Sequence, residues 1–137
     1  MTKKELQQIY YLNREIKMWQ DELNEPKYDL SLQSPITKRH GSGSKSISNK
    51  TAEIVEKIEE EKVQINAIIA GKLLEIQIQR KRIIEFIDSI DDSVMRQIIQ
   101  YRHVSCMKWV EVASHIGGNN TADGVRVAHD DFLKNKT

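Results

Sequence analysis

The chain has 137 residues, of which 30% are charged and 6% aromatic, with a net charge of +1 and a single cysteine. That length suits one ordinary domain, or a small globular unit carrying an extended helical part, and the abundance of Ile, Glu, Lys and Gln beside only six glycines and two prolines predicts an all-α protein of the second kind. Cys106 alone excludes an intrachain disulfide, and no apolar run approaches the roughly 20 residues of a bilayer span, so a reduced cytoplasmic setting without membrane contact is expected.

From Lys3 to Glu25 the residues Leu6, Ile9, Leu12, Ile16, Trp19 and Leu23 recur at spacings of three and four, a heptad-like seam that predicts a first helix over 2–25. Tyr10, Tyr11 and Met18 would widen its buried face. Pro26 stops it, because proline lacks the N–H and biases the preceding residue away from helix. Residues 26–50 contain both prolines, Gly41, Gly43 and many serines without apolar periodicity, which predicts a flexible loop. Within it, Lys38-Arg39-His40 followed by Gly-Ser-Gly-Ser admits a phosphate-gripping reading and, more commonly, that of a solvated linker.

Asn49 or Thr51 is suited to cap a long second helix over 51–90, whose seam runs through Ile54, Ile58, Ile65, Ile69, Leu73, Ile76, Ile83, Ile87 and Ile90. At 1.5 Å per residue it would extend about 60 Å against roughly 33 Å for the first helix, which therefore leaves part of it uncovered. A second stripe of Ala67, Ala70, Gly71, Leu74 and Ile78 lies on another face and predicts a homodimer or a larger helical assembly. Residues 1–90 thus read as a helical hairpin for oligomerisation, and residues 91–137 as a separate domain.

Asp91-Asp92-Ser93 marks a turn with a capping residue, and Met95, Ile98 and Ile99 give the inner face of a third helix. In the stretch from Lys108 to Leu133, Trp109, Val112, Ala113 and Ile116 make a narrow stripe on a short helix, which ends at Gly117-Gly118-Asn119-Asn120. Asn120 or Thr121 is placed to cap a last helix, with Val125, Ala128, Phe132 and Leu133 as its buried side. A small residue at the helix crossing, a glycine four residues on and an apolar closing residue are what a helix-turn-helix needs, and Ala113, Gly117 and Val125 supply them around a turn about two residues longer than usual. Thr121, Ala122, Asp123 and Arg126 then lie on the exposed recognition surface. Arg126 is the candidate for a base edge, because its forked donors match guanine, while Thr121, Lys108, Arg102 and Lys134 are suited to phosphates. Asp130-Asp131 opposes deep burial of the helix's second half in a groove.

No enzyme is expected. The histidines His40, His103, His115 and His129 lack zinc-ligand spacing, there is no C-x-x-C frame, and neither a phosphate-binding glycine loop nor a nucleophile elbow occurs, so no metal and no cofactor are expected.

The run YRHVSCMKWVEVASHIGGNNTADGVRVAHDDFL resembles the C-terminal part of phage-encoded proteins related to region 4 of bacterial sigma factors, among them RinA- and ArpU-type late regulators. Tyr101-Arg102, Trp109-x-x-Val112-Ala113 and Gly117 to Asp123 leading into Val125-Arg126 carry the likeness. The resemblance implies a phage transcriptional regulator that binds double-stranded DNA, acts beside the host RNA polymerase in the host cytoplasm, and uses Arg126 on its recognition helix. One alternative is a module that docks on host polymerase or another host factor. A second is a small terminase-like subunit of a DNA-packaging machine.

Overall fold

The computed structural model describes residues 1–25 and 44–136, and helices make up all the regular structure among them. The elements are α1 (Lys3–Leu6), α2 (Gln8–Asn24), α3 (Ser44–Asp88), α4 (Ser93–Ile99) continued by a π-helical turn (Gln100–Val104), α5 (Trp109–Ile116) and α6 (Ala122–Lys136). The all-α expectation holds. The long helix begins at Ser44, so Asn49 and Thr51 lie inside it instead of capping it, and it ends at Asp88. Serines do not break a helix as proline does, so a stretch without apolar periodicity can still continue one. Lys38-Arg39-His40 and the Pro26 stop lie outside the described residues.

Local chemistry accounts for the helix ends. Thr2 and Glu5 form a capping box: the Thr2 hydroxyl accepts from the Glu5 N–H, and the Glu5 carboxylate accepts from the Thr2 N–H at 2.7 Å. At the end of α3 the Ser89 hydroxyl donates to the Phe86 carbonyl. Asp92 caps α4 by accepting from the Val94 N–H at 3.0 Å, the role that its place at a helix start predicts. Arg96 reaches back to the Ile90 carbonyl at 2.6 Å and the Asp91 carbonyl at 3.0 Å, which fixes the turn into α4.

The chain divides into two compact units, one of Met1–Glu15 with Lys72–Thr137 and one of Ile16–Gly71. The first holds most of the core: Leu6, Ile9, Ile76, Ile83, Ile90, Met95, Ile98, Ile99, Val104, Val112, Ala113, Val125 and Leu133 are all buried. Helices α4, α5 and α6 contact one another. The N-terminal helix belongs to this same unit. Lys3 pairs with Asp130 at 3.3 Å and Glu5 with Arg82 at 3.8 Å, while Asn13 points its amide at the Cys106 sulfur. Exposed pairs of this kind contribute up to about 1 kcal/mol each, so Leu6 and Ile9, at about 1.5–3 kcal/mol apiece for full burial, supply most of the attachment.

The second unit is thin. Ile16 and Ile65 are buried there, with Trp19, Leu23, Ile54 and Ile58 half-buried, and the buried Trp19 indole N–H has no acceptor among the described residues. Tyr10, Tyr11 and Met18 do not widen the buried face as the sequence suggests; all three are exposed, as is Leu73 on the long helix. Amphipathic side chains of this size satisfy an apolar stripe by composition without being needed in it.

Candidate nucleic-acid interface

Val112 and Ala113 bury the inner side of α5, and the helix stops at Gly117, whose φ of 79° and ψ of −165° no side-chain-bearing residue adopts readily. Gly118 follows at φ 65°, in the left-handed range that favours glycine. The Asn120 amide closes the turn by donating to the Gly117 carbonyl at 2.8 Å. Thr121 is the cap of α6, its hydroxyl accepting from the Gly124 N–H at 3.0 Å.

Along α6, Val125, His129 and Leu133 are buried and Phe132 half-buried. Ala128, expected inside, is exposed; His129 takes the inner position that the i, i+4, i+8 row from Val125 to Leu133 defines. A histidine is easily passed over as a core residue, yet the spacing marks it. The outer side carries Asp123, Gly124, Arg126, Val127, Asp131 and Lys134.

Arg126 sits at the centre of that side, 47% exposed, between Asp123 at 3.8 Å and Asp130 at 3.7 Å. Long, exposed pairs of this sort are weak, so a guanine edge or a phosphate can replace them. Thr121 and Asp123 are exposed at the start of the helix and Ala122 is half-buried beside them. Lys108 is exposed at the start of α5 and Lys134 near the end of α6. Arg102 is placed differently. Its guanidinium donates to the Met107 carbonyl at 2.8 Å and stacks over the Trp109 ring at 4.5 Å, which braces the segment entering α5.

Beneath this surface lies a polar chain that sequence reading missed. The Nε2 atoms of His103 and His129 are 2.8 Å apart, His129 Nδ1 is 3.0 Å from the Asp130 carboxylate, and the Leu6 carbonyl accepts from the His103 ring. Both rings are buried, and Trp109 packs edge-on against His129. Two neutral rings carry two N–H groups between three contacts, so with both rings neutral one contact lacks a proton. Burial pushes His103 down to about 3, helped by the charges of His129, Arg102 and Lys3 and opposed by the Leu6 hydrogen bond. Burial also lowers His129, although Asp130 pulls the other way. Partial burial works to raise the Asp130 carboxyl, but hydrogen bonds from His129 and Lys3 outweigh it and hold the group below its ordinary value. His103 and Asp130 meet opposite edges of the His129 ring and cannot converge on one ion.

The π-helical turn from Gln100 to Val104 adds a residue to the end of α4, and the Ser105 N–H bonds the Gln100 carbonyl at 3.1 Å. The chain then turns through Cys106 at φ 56°, a conformation uncommon outside glycine. Burial raises the Cys106 thiol above its ordinary value, which disfavours the thiolate. Tyr101 stacks on His115 with ring centres 4.9 Å apart, joining the π turn to α5. No known protein family, curated protein or solved structure matches the chain.

Proposed function

We propose that the chain is a DNA-binding regulator of transcription, with α5 and α6 as a helix-turn-helix and α6 as the helix that enters the major groove of double-stranded DNA. The observation that carries this reading is the outer side of α6, where an exposed Arg126 stands one turn beyond a Thr121-capped helix start on a helix backed by Val125, His129 and Leu133. The resemblance to sigma region-4-like phage regulators supports the same assignment. Arg126 reads a base edge, Thr121, Ala122 and Asp123 border it, and Lys108 and Lys134 meet phosphates. Arg102 acts on this surface through Trp109, by holding the start of α5.

The ion pairs give the reading a direct test. Arg126→Ala is expected to weaken binding to a selected operator by about 1–3 kcal/mol, whereas Lys134→Ala should weaken all sequences alike and flatten the salt dependence by about one ion. Asp123→Asn should strengthen binding several-fold, since it frees Arg126 and removes a charge that repels phosphate. Operators come from sequencing the DNA fragments the protein retains. The proposal fails if no fragment is enriched and no salt-sensitive binding is measured, or if Arg126→Ala binds as wild type does.

A protein partner is the second reading, favoured by Asp123, whose carboxylate is almost wholly exposed, and by the exposed apolar side chains of Val110 and Val127. Retention of host RNA polymerase from nuclease-treated lysate, abolished by Val110→Asp, would support it. A DNA-packaging subunit would instead assemble as a ring of many copies, which a mass measurement distinguishes.

A further inference from the structure

The long helix α3 carries a second face that nothing among the described residues covers. Val63, Ala67, Ala70, Leu74 and Ile78 recur along it at three- and four-residue spacing, and Val63, Leu74 and Ile78 are 68%, 64% and 52% exposed. All lie on one uninterrupted helix, so their spacing is fixed by the helix itself. A Cβ built at Gly71 meets no described atom within 4 Å beyond its chain neighbours and the helix's own backbone, which leaves the middle of the stripe open to a close neighbour. The ends of the stripe carry opposite charge. Glu59 and Glu60 precede the apolar residues and Lys81 and Arg82 follow them; all four are exposed, with Glu59 and Arg82 also in long pairs to Lys62 at 3.7 Å and Glu5 at 3.8 Å.

The two halves mirror each other about the Ala70–Gly71 peptide. Glu60 stands ten residues before Ala70 and Lys81 ten residues after Gly71, and the same relation joins Glu59 to Arg82, Val63 to Ile78, and Ala67 to Leu74. We infer that the occupant of this face is α3 of a second copy of the chain, running antiparallel, with the two-fold axis at Ala70–Gly71. In that register Glu60 meets the partner copy's lysine 81, Val63 faces isoleucine 78, and the smallest residues meet where the helices cross. A parallel pair in register would set acid against acid at one end and base against base at the other, which costs association. Self-complementarity is what a two-fold interface demands, because each copy supplies both halves of every pair. The inference does not depend on DNA binding.

Single-cysteine variants of the full chain in a Cys106→Ser background test it. Glu60→Cys and Lys81→Cys, mixed and oxidised, should give a crosslinked dimer, while each alone should not, because like positions would lie about 30 Å apart along the helices. Charge reversal gives a second measurement that leaves the fold of one chain untouched at exposed positions. Glu60→Lys should weaken self-association about tenfold, and the double variant Glu60→Lys/Lys81→Glu should restore it. A monomer at high concentration, crosslinking of Glu60→Cys with itself, a ring of many copies, or failure of the double variant to recover would each overturn the inference.

Discussion

Between pH 6.5 and pH 4.5 the protein is expected to lose about 2–3 kcal/mol of stability, seen as a fall of roughly 6–10 °C in the melting midpoint. The cause is the buried pair under α6. His103 titrates near its ordinary value of 6.5 when the chain is unfolded, but burial beside His129, Arg102 and Lys3 pushes it down to about 3 in the fold. A histidine depressed in this way adds nothing against folding above pH 6.5. Below it the unfolded chain takes up a proton that the folded chain refuses, and each further pH unit removes about 1.4 kcal/mol. His129, lowered by burial though drawn upward by Asp130, acts in the same direction. Asp130 itself, held below its ordinary carboxyl value, contributes stability that is lost only under more acid conditions, so the two windows separate. His103→Gln keeps a polar group against Leu6 and His129 but cannot titrate, and it should remove about one proton's worth of the slope. Melting curves from pH 7.5 to 4 decide the matter; a midpoint that does not move over that range, or a slope that His103→Gln leaves intact, would sink the account.

The same pair shows why part of the structure was legible and part was not. Periodicity found the helices: Leu6 to Leu23, the isoleucine seam of α3 and the Trp109–Ile116 stripe each report a buried side directly, and Asp92 and Thr121 mark helix starts because their oxygens sit where the first N–H groups need acceptors. Glycine at 117 and 118 likewise announces a turn, since both take positive φ, which favours glycine. What periodicity does not carry is long-range pairing. Nothing in the order of residues says that Lys3 reaches Asp130, that the Leu6 carbonyl meets His103, or that His103 and His129 touch across 26 positions. The first helix therefore reads as half of a hairpin, whereas its opening residues share a compact unit with the C-terminal helices. Arg102 is a similar case. Its charge and position suit a phosphate contact, but in the fold it engages the Met107 carbonyl and Trp109.

Replacing Gly117 by alanine is expected to cost about 1–3 kcal/mol, and the reason is backbone conformation alone. At φ 79° and ψ −165° the residue occupies a region that a Cβ disfavours, yet a Cβ built there meets no described atom within 4 Å beyond its chain neighbours, so no long-range clash contributes. Gly118, at φ 65°, lies in the left-handed range that asparagine tolerates, and Gly118→Asn should change stability by less than about 1 kcal/mol. The contrast between neighbouring positions makes the test sharp. A turn that merely joined two helices would treat both substitutions alike, because either could relax into a slightly different loop. A turn that fixes the placement of α6 on α5 cannot relax at Gly117 without shifting its carbonyl, which accepts from Asn120 at 2.8 Å, and its N–H, which donates to Ala113 at 3.0 Å. Denaturant melts of the two variants would measure this, with fluorescence of Trp109 reporting the packing of α5 against His129. Equal stability of Gly117→Ala and wild type would show that the glycine turn imposes no such constraint, and the proposed placement of Arg126 on a rigid recognition helix would lose its structural support.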